Sequence, residues 1–129
     1  MHTAGEGAIQ LNRFLIAVVE DDQGLLEALE SLLDSAGYDV LLYSSAEAFL
    51  ISGRLPHIDC LITDIGLPGM SGIELLQEVR SRTSNLTIIL ITALSGHATT
   101  QAALASGASQ VFLKPLDNAA LLDSIKTVR

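Results

Sequence analysis

Five short apolar runs, at residues 14–19, 38–42, 58–63, 87–91 and 109–113, divide the chain, and no hairpin turn joins any two of them. Each run is rich in Val, Ile and Leu and too short to stand as an independent helix, so each reads as a strand. The segments between them have helical spacing. Leu25, Leu26, Leu29, Leu32 and Leu33 form one apolar stripe, with Gly37 as a stop. Ser45 is placed to cap a second helix ending at Ile51, and Ile73, Leu75, Leu76 and Val79 mark a third. An Ala-rich fourth runs over 97–106 to Gly107, and Asp117 is placed as the cap of a fifth, with Leu121, Leu122 and Ile125 inward. Strand and helix alternating in this way predict a parallel sheet with helices on both faces, a doubly wound α/β fold. Right-handed crossovers leave few topologies, of which the flavodoxin-like strand order 2-1-3-4-5 is expected.

The rest of the composition narrows the setting. At 129 residues, 49% of them hydrophobic, the chain is one domain, expected over 13–129 behind a disordered tail at 1–12. A net charge of −8 argues against direct contact with nucleic acid or anionic membrane. Cys60 is the only cysteine, which excludes an internal disulfide, and its apolar neighbours predict a buried structural thiol. No signal-peptide pattern opens the sequence and no apolar run reaches the length of a membrane span, so a cytoplasmic setting is expected.

In such a sheet, ligands sit outside the carboxyl ends of the strands. The first strand ends in Glu20, Asp21 and Asp22, the third in Asp64, the fourth in Thr92 and the fifth in Lys114 and Pro115. Carboxylates gathered on one edge repel, by roughly 4 kcal/mol per pair at about 4 Å and an effective dielectric near 20. A divalent cation reverses that sign, and hard oxygen donors suit Mg2+ or Mn2+. Lysine supplies a point charge for an anion and Thr92 a neutral donor. Metal, cation and a carboxylate nucleophile together point to phosphoryl transfer onto an aspartate. Singly, each residue has a plainer reading: an acidic helix start for 20–22, a turn-former for Asp64, a structural strand-end threonine, a solvated Lys-Pro loop. Their common placement on one edge is what favours chemistry.

The motifs VVEDD, TDIGLPGMSGIELL, IILITAL and GASQVFLKPL occur in order, and together they resemble the receiver domain of two-component response regulators. The resemblance covers essentially the whole domain. It implies that Asp64 is the phosphoacceptor, taking a phosphoryl group from a histidine of a sensor kinase or phosphotransfer protein. It also implies Mg2+ ligation by Asp21, Asp64 and the backbone carbonyl of Gly66, with Glu20 acting through water. Asp22 is then left to cap the first helix. Thr92 and Lys114 would contact the phosphoryl group, and the Lys114–Pro115 bond is expected to be cis. The fourth helix, fifth strand and fifth helix would form the output or homodimer face, made small and apolar by Ala102, Ala103 and Ala105.

One position departs from the family. Its usual switch aromatic, three residues before the lysine, is here Val111, while Phe112 should point to the opposite face by strand alternation. Activation is therefore expected to be read through the loop after strand four and the fourth helix. Gly66 and Leu94, at the positions that govern dephosphorylation in the family, cannot orient water, which predicts a long-lived phosphoryl group. A flavin module is disfavoured because the EDDQG loop would repel phosphate, and a haloacid-dehalogenase-type hydrolase because EDD does not fit D-x-D. A receiver-like scaffold acting without phosphorylation remains an alternative. SGHATT is similar to receivers of the nitrogen-fixation transcriptional subfamily, favouring the regulatory domain of a longer transcription factor over a stand-alone receiver.

Overall fold

The computed structural model describes residues 13–93 and 97–128. The expected tail at 1–12 and Leu94 lie outside the described residues. In chain order the elements are β1 (Leu15–Val19), α1 (Gln23–Ser35), β2 (Asp39–Tyr43), α2 (Ala46–Ile51), β3 (Cys60–Asp64), α3 (Gly72–Arg82), β4 (Thr87–Thr92), α4 (His97–Ala105), β5 (Gln110–Leu113) and α5 (Asn118–Lys126). All neighbouring strands pair in parallel, in the order β2-β1-β3-β4-β5. The doubly wound, flavodoxin-like arrangement expected from the alternation is the one found.

Period-two alternation sorts the strand residues into two cores. Leu15, Ala17, Val19, Leu61, Ile88 and Leu90 face α2, α3 and α4, packing on Phe49, Leu75, Leu76, Val79 and Ala103. Ile16, Val18, Cys60, Ile62, Ile89 and Ile91 face α1 and α5, packing on Leu26, Leu29, Leu33, Leu121 and Ile125. Because both faces are covered, the central strands read as unbroken apolar runs. Val111 packs with the first core and Phe112 with the second, as alternation requires.

Local chemistry sets the helix starts. Asp22 caps α1 by accepting from Leu25 N–H, Ser45 caps α2 through Ala48 N–H, and Asp117 caps α5 through Ala120 N–H. Ser71 and Glu74 form a reciprocal capping box at α3. Strand edges move by one or two residues from the sequence reading. Pairing of Leu15 with Asp39 starts β2 one residue late, while Tyr38 closes α1 by donating its N–H to Leu33 O. β3 begins at Cys60 because Leu55–His57, with Pro56 in its first turn, forms a 3-10 turn that the apolar pattern did not disclose.

One expectation about α4 is corrected. Ala103 is fully buried in the first core, so it is not part of an outer small-residue face. Helical geometry leaves Ala102 and Ala105 outside, together with Leu104, which is 46% exposed. A groove of about 680 Å³ lies at the amino ends of β3 and β4, lined by Leu50, Leu55, Pro56, Ile58 and Leu86 among others. It is remote from the carboxylates.

Candidate functional site

Strand order brings the candidate side chains together. β1 lies between β2 and β3, with Val19 paired to Thr63, so the residues that end β1 and β3 are neighbours. Glu20 follows β1, ties its own N–H to Tyr43 O at 3.0 Å, and is completely buried. Asp64 ends β3 and is 6% exposed. Asp21 is exposed beside them. One oxygen from each of Glu20, Asp21 and Asp64 lies within 4.8 Å of the others.

Lys114 reaches this group from just beyond β5. Its Nζ stands 3.1 Å from Glu20 Oε1 and 3.3 Å from Asp64 Oδ2. Its own N–H donates to Thr92 O at 2.8 Å, which fixes the lysine against the end of β4. The Lys114–Pro115 bond is cis, as expected. Thr92 is buried at the same edge. Gly66 is exposed two residues beyond Asp64; a Cβ built on it would lie 4.0 Å from Asp64 Oδ2, so backbone and carboxylate are close. All six predicted site residues thus fall at one edge. Asp22 turns away from them to cap α1.

The electrostatics follow from burial. Glu20 is held above the ordinary carboxylate range, chiefly because burial disfavours its charge and also because Asp64 is near. The Asp22 N–H, which donates to Oε2 at 3.0 Å, and Lys114 oppose that shift. Burial alone would lower the Lys114 pKa, but its pairing with Glu20 and Asp64 outweighs this and raises it. Glu20 Oε1 is buried and accepts no well-directed hydrogen bond even though Lys114 stands opposite. A buried, under-satisfied oxygen next to two more carboxylates is a donor set suited to a hard divalent cation.

Two residues bear on the site that the sequence reading did not assign to it. Gly72, the first residue of α3, is buried against Asp64: a Cβ there would collide with the Asp64 carbonyl oxygen and stand 2.8 Å from Ile65 Cα. The available signal was its place in the glycine-rich loop that follows Asp64. Glu47, on α2, accepts the Met70 N–H at 2.8 Å from the loop that follows Asp64. Nothing in the local pattern of α2 pointed to that contact.

Among known proteins, the model of the response regulator receiver domain matches residues 16–126. The transcriptional regulatory protein FixJ of Azorhizobium caulinodans is 34% identical over 111 residues, covering 86% of this chain and 53% of that protein. The response regulator protein TmoT of Ectopseudomonas mendocina is 35% identical over 113 residues, covering 88% and 51%. A CheY-like receiver domain structure from Methanospirillum hungatei superposes with a TM-score of 0.83 at 26% identity, covering 90% of this chain and 93% of that one. The chain spans about half the length of the curated FixJ relatives it matches.

Proposed function

The chain belongs to the response regulator receiver domain family, and from that membership we propose that Asp64 is its phosphoacceptor, served by Glu20, Asp21, Gly66, Thr92 and Lys114. The observation that carries this reading is Lys114 Nζ held between Glu20 and Asp64, with three carboxylates converging on the same edge. No turn or helix-capping role accounts for that convergence.

In this reading an oxygen of Asp64 takes the phosphoryl group of a phosphohistidine on a sensor kinase or phosphotransfer protein. The O–P bond forms as the P–N bond breaks, and the imidazole keeps the electron pair. Asp21 and Asp64 with the Gly66 carbonyl would hold Mg2+ (or Mn2+), and Glu20 would reach it through water. The ion, when bound, offsets the charge that accumulates on carboxylate and phosphoryl oxygens. Lys114, already positioned at Asp64, pairs with a phosphoryl oxygen, and the Thr92 hydroxyl donates to another. The pairing of Lys114 backbone with Thr92 lets a change at the phosphoryl group pass to β4, β5 and α4 together.

Residues 13–129 then act as the regulatory unit of a longer transcriptional regulator, a reading favoured by the transcriptional relatives that extend beyond this span. Output or homodimer contact would use α4, β5 and α5, where Leu104 and Leu113 are 46% and 49% exposed. A cytoplasmic setting fits the family; no helix among the described residues is long and apolar enough to cross a membrane. Incubation with acetyl phosphate and Mg2+ should add the mass of one phosphoryl group. No added mass, or the same mass on Asp64→Asn, overturns the assignment.

A further inference from the structure

We infer that Glu47 is a positioning residue for the acceptor loop, latching the segment after Asp64 to α2; this rests on the receiver reading above. The loop between β3 and α3 must hold Gly66 in one place while leaving Asp64 open to a phosphoryl donor. Its two ends are well fixed. Ile65 donates its N–H to Ile91 O at 2.9 Å and accepts from Leu67 and Gly72 N–H at 3.0 Å each, while Ser71 closes the capping box. Ile65 and Leu67 are buried, but Pro68 and Gly69 between them and the helix are exposed.

Across that exposed tip, Glu47 supplies the one side-chain hydrogen bond reaching it from another element among the described residues, Oε2 to Met70 N–H at 2.8 Å. The same oxygen would lie 2.7 Å from a Cβ at Gly69, whose φ of +72° already favours glycine. The loop is thus folded directly over this carboxylate. Glu47 stands in the first turn of α2, behind the Ser45 cap, where helix N–H groups favour an anion. It therefore serves two N-terminal demands at once: those of α2 and that of the Met70 amide. Its carboxyl is held below the ordinary range, by the Met70 N–H first and by its own backbone N–H next. A cation demanding near-ideal octahedral geometry binds less well to a carbonyl on a loosened loop, and small displacements suffice.

The test compares wild type with Glu47→Ala, Glu47→Gln and Glu47→Asp in the 129-residue chain. Without metal, exchange of the Met70 amide should be slow in wild type and faster in Glu47→Ala. A Mg2+ titration followed by amide chemical shifts should then show affinity about three- to tenfold weaker in Glu47→Ala, the net range of one ordinary hydrogen bond. Glu47→Gln keeps an acceptor of the same length and should recover to within about twofold of wild type. Glu47→Asp keeps the charge at the helix start but withdraws from Met70, so it should behave like Glu47→Ala with an unchanged thermal midpoint. Equal Mg2+ affinity in wild type and Glu47→Ala overturns the latch and leaves the receiver reading standing. Failure of Glu47→Gln to recover overturns it also, and a wild type with no Mg2+ response overturns both readings.

Discussion

Lys114 Nζ lies 3.3 Å from Asp64 Oδ2, and the same nitrogen meets the fully buried Glu20 at 3.1 Å. One cation thereby pairs with two carboxylates at the ends of different strands. Truncating it as Lys114→Met leaves Glu20 buried without a countercharge. Urea unfolding should show a loss of about 1–3 kcal/mol, the cost of leaving a buried polar group without its partner. The pH dependence has a definite sign. Pairing raises the Lys114 pKa above its ordinary 10.5, so the folded state binds this proton more tightly than the unfolded chain. The resulting stability is complete below pH 10.5 and is lost as pH rises through the higher folded value. Lys114→Met should lack that part of the alkaline loss.

Gly72→Ala should be destabilising despite the better helix propensity of alanine, because its Cβ collides with the Asp64 carbonyl. Overpacking of this kind costs about 1–3 kcal/mol. Labelling by acetyl phosphate should slow as well, since the displaced group is the backbone of Asp64, the proposed acceptor. Gly24→Ala in α1 is the control. Its nearest neighbour would be Asp22 Oδ1 at 3.4 Å, an ordinary contact, and thermal unfolding should show it neutral or stabilised by up to about 1 kcal/mol.

Arg80 of α3 donates from Nε and Nη2 to the Gly107 carbonyl, at 3.0 and 2.8 Å, and so fastens the end of α4. Arg80→Ala should lower stability by about 1–2 kcal/mol, read from the urea midpoint at unchanged slope. Arg80→Lys should recover little, because an ammonium cannot reproduce the planar fork.

Switching should not depend on an inward-swinging ring on β5. Val111 occupies the position facing the first core, and Phe112 packs against the opposite one. Phosphorylation should therefore shift backbone amide signals across 93–106. Identical spectra of the two forms over that span would exclude this route.

Cys60 should be inert in the folded protein. It is buried in the central strand, and its thiol pKa is pushed up to about 12, by burial first and the Asp59 charge next. A thiol reagent at pH 8 should label it only after denaturant is added; rapid labelling of the native protein would contradict this burial.

Much of the fold was legible in the chain because it rests on local rules. Alternation of apolar runs with helical stripes gave the parallel sheet, and Ser45 and Asp117 cap the helices they were expected to cap. The shared edge of Glu20, Asp64, Thr92 and Lys114 was legible for a related reason: each stands at or just beyond the end of a strand, and strand ends of a parallel sheet share an edge. Ala103 was misread because the Ala-rich stretch of α4 has little contrast between its faces. An alanine there can face core or solvent without altering the pattern.

What the sequence by itself determined was which residues are strand, helix and cap, and which side chains stand at the carboxyl edge. Tertiary structure decided which of them touch. Glu20 and Asp64 share one lysine because β1 and β3 are neighbours in the sheet and the chain returns to that edge after β5. Glu47 meets Met70, and Gly72 meets Asp64, through the packing of α2 and α3 around a single loop. The physical reason is a difference of range. Periodicity and capping act over one or two turns of chain, whereas these contacts depend on how the crossovers stack distant elements.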